Sequence, residues 1–120
     1  MEQAMSIQAI TSGVIDIPKL VRPFENLLGE SIPLSGAIIA ALIRAITQDL
    51  QKQDASQFDD DVGWRNKYNI HLLSGVPQKE IYSEEGVLAK LVDAEIVQER
   101  PSRSRWGKQR HQYRLRVQHH

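Results

Sequence analysis

The segment WRNKYNIHLLSGVPQKEIYSEEGVLAKLVDAEIVQER (Trp64–Arg100), with PSRSRWGKQRHQYRLRV (Pro101–Val117) after it, decides how the chain folds. Trp64, Tyr68 and Leu72 recur at i, i+4 and i+8, with Ile70 and Leu73 beside them, which predicts a helix over 64–73. Ser74-Gly75-Val76-Pro77 breaks that pattern. A second helix is expected over 78–94, where Ile81, Val87 or Leu88, Leu91 and Val92 supply the buried stripe. Gly86 weakens its middle by about 1 kcal/mol relative to alanine. Past Glu95 the period changes to two: Ile96-Val97 opens a strand, Pro101 to Gly107 makes a loop, and Gln109 to Val117 alternates. His111, Tyr113, Leu115 and Val117 fall on the expected core side. Arg110, Gln112, Arg114 and Arg116 fall on the other, giving an amphipathic hairpin with an arginine-rich solvent face.

Upstream, Asp16-Ile17-Pro18 predicts the start of a short helix ending near Gly29, with Leu20, Phe24, Leu27 and Leu28 as its apolar face and Pro23 disturbing its first half. Ser35 is the expected cap of a longer helix running from Ala37 to about Lys52. Ile39, Leu42, Ile43, Ile46 and Leu50 form its core stripe. Its small-residue face, Ala37, Ala40, Ala41 and Ala45, suits either packing within the chain or a symmetric contact of Ala37, Ile38 and Ala41 with a second copy. Gln53 to Val62 reads as a solvated loop; its aspartates, Asp54 and Asp59 to Asp61, lack the spaced ligands and turn glycine of a calcium loop.

A chain of 120 residues with 41% apolar and 25% charged residues suits one domain: N-terminal helices over 1–52, the two helices of 64–94, and the hairpin of 95–117. There is no cysteine, so thiolate metal sites and disulfides are excluded. Met1 to Thr11 lacks the basic start and apolar stretch of a signal peptide, and the longest apolar run, Ala37 to Ile43, continues past Arg44 only as far as Ile46, short of the roughly 20 residues of a membrane span. The expectation is a cytoplasmic protein without membrane contact. Net charge is zero, yet residues 98–120 carry seven basic residues against Glu99 alone, +6, which leaves −6 on residues 1–97. Such asymmetry points to a polyanionic partner or to a solubilising tail.

Helix, turn containing Gly75, helix and basic hairpin resemble the winged helix-turn-helix. Leu88 to Val97 resembles the recognition helix and first wing strand of bacterial winged-helix regulators, and Lys108 to Leu115 is similar to the returning wing strand of PadR-like regulators. Glu95 stands where that pattern commonly has glycine. The resemblance spans about residues 64–117 and implies a mainly helical winged-helix fold that binds double-stranded DNA and controls transcription as a homodimer. The alternatives are a winged-helix protein-interaction module gripping an acidic partner, and an RNA- or replication-complex-binding protein.

The side chains expected to contact DNA are Gln78, Lys79, Tyr82 and Ser83 at the start of the long helix, whose polar groups suit base edges and phosphates. In the wing they are Arg103, Arg105, Trp106 and Lys108 around the tip, where arginine suits a narrow minor groove, and Arg110, Arg114 and Arg116 on the strand. Trp106 suits either a sugar contact or a lid under the hairpin. Glu80, Glu84 and Glu85 on the same helix would repel phosphate, so one orientation is required. His71 reads as a boundary histidine. No spaced nucleophile, acid and base, glycine-rich phosphate loop or metal motif is present, so neither catalysis nor a cofactor is expected.

Overall fold

The computed structural model describes residues 5–6, 15–52, 61–103 and 109–118. Asp16 accepts a hydrogen bond from the Lys19 amide at 3.2 Å and starts helix α1 (Ile17–Val21), with Pro18 in the first turn, where its missing N–H is no loss. A 3₁₀ turn (Arg22–Phe24) carrying Pro23, helix α2 (Glu25–Leu28) and a second 3₁₀ turn (Gly29–Ser31) follow. Leu28 and Val21 point into the core; Leu27, expected there, is exposed.

Helix α3 (Ile32–Lys52) begins earlier than its expected cap, because Pro33 fits a first turn and Ser35 lies inside the helix, its buried hydroxyl donating to the Ile32 carbonyl at 2.7 Å. Ile38, Ile39, Leu42, Ala45 and Ile46 are buried, as is Ala41. Of the small-residue face, Ala41 and Ala45 are taken up within the chain, as is Ile38, while Ala37 and Ala40 stay half-buried. Ile17–Lys52 has the length and apolar content of a membrane-crossing segment; in this fold α3 is the core helix against which the other elements pack.

Strand β2 (Arg65–Asn66) occupies what was expected to be the first helical turn, and helix α4 (Lys67–Ser74) starts only after Asn66, whose side chain accepts from the Asn69 amide at 2.8 Å. The Trp64, Tyr68, Leu72 stripe is not the core face: Tyr68 is 54% and Leu72 59% exposed, while Ile70 is buried. Gly75 ends α4 at φ 71, and His71 Nδ1 donates to the Val76 carbonyl at 2.7 Å, closing the turn. That is a structural role for the boundary histidine.

The expected long helix is two: α5 (Gln78–Tyr82) and α6 (Val87–Asp93). Gly86 is the N-cap of α6 rather than a mid-helix weak point; a Cβ there would run into the Glu80 carbonyl, so the close return of the chain over α5 requires glycine. Beyond α6, Glu95 adopts φ 62, the left-handed conformation in which glycine is favoured, at a cost of about 1–2 kcal/mol.

The hairpin of β3 (Val97–Arg103) and β4 (Gln109–Leu115) runs antiparallel from Val97 opposite Leu115 to Arg103 opposite Gln109. It is not isolated: β2 adds to the other edge of β4, Arg65 opposite Tyr113, giving the order β2-β4-β3. The fold is thus mainly helical with a small three-stranded antiparallel sheet. Strand β1 (Met5–Ser6) pairs in parallel with β5 (Val117–Gln118). Ile96, just before β3, and Val97, Tyr113 and Leu115 of the sheet join α3 and α6 in one core.

Asp49, near the end of α3, ties the helix to the sheet. Its carboxylate accepts from both terminal nitrogens of Arg65, at 2.7 and 2.8 Å, and from the Gly63 amide at 2.8 Å. Gly63 sits at φ 84, with no room for a Cβ beside Ile46. The Arg65 hydrogen bonds hold the Asp49 carboxyl below its ordinary value, outweighing the opposite effect of burial. A depressed aspartate stabilises the fold fully above about pH 4 and loses that contribution as pH falls through its folded value. Asp49→Asn is expected to cost about 1.5–3 kcal/mol in urea titrations at pH 7, a gap that narrows as the wild type is taken below pH 4.

Candidate nucleic-acid interface

Directly opposed residues in an antiparallel pair share a face. Gln98, Arg100, Gln112 and Arg114 therefore stand together on the side of the sheet expected to meet solvent. That side is covered. The guanidiniums of Arg100 and Arg114 lie 4.2 and 4.7 Å from the ring centre of Trp64, and Arg114 donates to the Val62 carbonyl at 3.2 Å. Arg100 also bonds Gln112 at 3.0 Å and Asp61 at 3.3 Å. Arg114 is only 4% exposed, so its assignment as a DNA contact is wrong: the alternation was read correctly, but the Asp61–Trp64 segment folds over that face. Arg116 is half exposed and lies 3.4 Å from Glu95, a surface pair of small energetic worth.

On the opposite face Tyr113 is buried and donates to Glu99 at 2.7 Å; burial and then the adjacent carboxylate push its phenol well above the ordinary tyrosine value. It is a structural tyrosine at any physiological pH.

The break after α5 changes what the expected recognition helix offers. Gln78, Lys79 and Tyr82 are exposed on it, whereas Ser83 ends it, its hydroxyl accepting from the Glu85 amide at 3.2 Å. Ser83 is thus engaged in the turn. The backbone of Arg103 pairs with Gln109, while its side chain and Arg105, Trp106 and Lys108 lie outside the described residues.

Two of the expected residues, Tyr82 and Arg110, meet four that were not expected. A groove of about 420 Å³ is lined by Asn66, Lys67, Tyr68, Tyr82, Arg110 and His111. The N-cap of α4 presents Asn66 to Tyr68, the end of α5 presents Tyr82, and the start of β4 presents Arg110 and His111. The Lys67 ammonium sits 5.7 Å from the Tyr82 ring centre and 6.0 Å from that of Tyr113, a cation–π arrangement that fixes its charge at the groove wall. Among the described residues, neither Lys67 nor Arg110 is within salt-bridge distance of a carboxylate.

A second concavity, about 270 Å³, adjoins the first across Lys67 and Tyr82 and carries Glu84, Asp93 and Glu99 over an apolar floor of Ile81, Leu88 and Val92. The helix break thereby sends Glu84 to the far side of the Lys67–Tyr82 contact from Arg110. Positive charge thus lines one side of that contact and negative charge the other. No protein-family model, curated protein or solved structure matches this chain.

Of the missed residues, Lys67 and Tyr68 had a legible signal, since Asn66 is a strong N-cap type and moves the helix start past Trp64. His111 had none: it alternates with Tyr113 but lies beyond the helices that cover Tyr113, opposite Pro101. The two arginines of β4 are expected to separate in experiment. Arg114→Ala should cost about 1–3 kcal/mol of stability through its lost buried hydrogen bond, whereas Arg110→Ala should stay within about 0.5 kcal/mol, both read by chemical denaturation.

Proposed function

We propose that this protein binds double-stranded DNA sequence-specifically, as a winged helix-turn-helix regulator of transcription, through the face that carries the tyrosine-lined groove. The observation that carries the reading is the convergence of Lys67, Tyr82 and Arg110 from three separate elements on one basic groove. The order α4, turn at Gly75, α5 and α6, then hairpin supports the winged helix-turn-helix reading, and of the two halves of the expected long helix it is α5, with its exposed polar side chains, that this reading sets against the major groove. Gln78, Lys79 and Tyr82 offer amide, ammonium and phenol groups to base edges. The five residues of α5 make about 7.5 Å of helix, enough to follow about two base steps at 3.4 Å each. The remaining affinity comes from phosphates, contacted by Lys67, Arg110 and the hairpin cations Arg103, Arg105 and Lys108. Glu84, Asp93 and Glu99 set the orientation by repelling the backbone from the adjoining concavity.

Anisotropy titrations of a labelled duplex across a range of salt concentrations test this. Each lost phosphate contact reduces the slope of log affinity against log salt by about 0.9. The Lys67→Ala, Arg110→Ala double variant is therefore expected to lose about 1.8 units, and the Arg103→Ala, Arg105→Ala, Lys108→Ala triple variant up to about 3. Lys79→Ala should cost about 1–3 kcal/mol on a selected site and less on random duplex. Absence of duplex binding at low salt, or slopes unchanged in folded variants, overturns the proposal.

A further inference from the structure

Tyr68 and Tyr82 are 54% and 50% exposed, and both line the same groove. Large aromatic side chains this exposed are unusual away from binding surfaces, and a duplex that uses the Tyr82 hydroxyl still leaves the exposed ring faces without a partner. Its bases are stacked, so that only edges reach the grooves, while phosphates and sugars form the outer ridges. An unpaired base offers its whole face, and stacking on an aromatic ring is the main way proteins hold single strands without reading sequence. At about 420 Å³ the groove lies within the range of sites that take small ligands, roughly 300–1,000 Å³. Its chemistry is divided as a nucleotide is divided: tyrosine faces for the base, and the Lys67 and Arg110 charges for the phosphates on either side. Lys67 lies over one face of the Tyr82 ring, so a base stacks on the opposite face, with that cation across the ring.

We infer that this groove holds an unpaired DNA nucleotide, its base stacked on Tyr68 and Tyr82 and its flanking phosphates met by Lys67 and Arg110. The inference rests on the DNA-binding reading above and extends it: the protein engages DNA at a junction where a single strand leaves the duplex. The adjoining acidic concavity then keeps the strand from continuing past Tyr82, so that it leaves along the Arg110 side.

The test is a set of anisotropy titrations with three labelled probes of one sequence: a blunt duplex, the same duplex with a single-stranded extension, and the single strand alone. Wild type is expected to prefer the extended duplex over the blunt one. Tyr68→Ala and Tyr82→Ala should each weaken binding to the extended duplex and the single strand about five- to 150-fold, the range measured for lost base stacking, with blunt-duplex affinity less affected. Tyr68→Phe and Tyr82→Phe should retain binding, because the ring face survives. Variants that fold normally by circular dichroism yet bind the extended duplex as wild type does overturn the stacking site. Binding of the blunt duplex with no gain from the extension overturns it while leaving the duplex reading intact, and failure to bind any probe overturns both. A single-stranded RNA of the same sequence bound more tightly than the DNA strand overturns the assignment to DNA.

Discussion

The two-pronged hydrogen bonding between Asp49 and Arg65 is the constraint on which the placement of the candidate interface depends. Arg65 is half of a two-residue strand, too short to hold its register by backbone bonds alone. With side chains only 18% and 19% exposed, the pair anchors that strand to α3 across a gap of 16 residues in sequence, and Gly63 fits beneath it because it has no side chain. Once Arg65 is fixed, Asn66 is placed to cap α4, and Lys67 and Tyr68 follow in its first turn. The groove wall is thus set from the core helix outward.

The chain's charge is allocated in a way that its composition conceals. A neutral molecule carries +6 on residues 98–120, but these cations do different work. Arg100 and Arg114 stack on Trp64 and close the outer side of the sheet; they are part of the fold. Arg110 stands exposed at the groove, where Lys67 from the acidic part of the chain joins it. Among the described residues the basic surface is therefore smaller than a charge count implies and more directional, bounded by the carboxylates beyond Tyr82. Directionality of this kind favours specific orientation on a polyanion over bulk attraction.

Much of this architecture was legible in the sequence because periodicity is a local signal. The change from a period near 3.6 to a period of two after Glu95 located the hairpin, and Asp16-Ile17-Pro18 located the first helix. What was not legible depends on contacts distant in sequence. Tyr68 and Leu72 match helical spacing as well from the exposed face as from the buried one, and only the packing of Ile70 decides between them. The break between α5 and α6 reflects the approach of Gly86 to the Glu80 carbonyl, a property of the folded path. Arg114 alternates correctly yet is buried, because Trp64 reaches over from 50 residues earlier. Glu95, in a position where the resemblance expects glycine, adopts the left-handed conformation that glycine favours.

The central claim is that DNA lies on the face formed by the start of α4, the exposed side of α5 and the start of β4. Titration of isotopically labelled protein with an unlabelled DNA duplex bearing a single-stranded extension, followed by amide chemical-shift mapping, addresses it directly. The account predicts that the largest shifts fall together at Asn66 to Tyr68, Gln78 to Tyr82 and Arg110 to His111, with α1 and α2 unchanged. Shifts concentrated at Val92 to Gln98, around the acidic concavity, or spread evenly over the sheet and the N-terminal helices would contradict it.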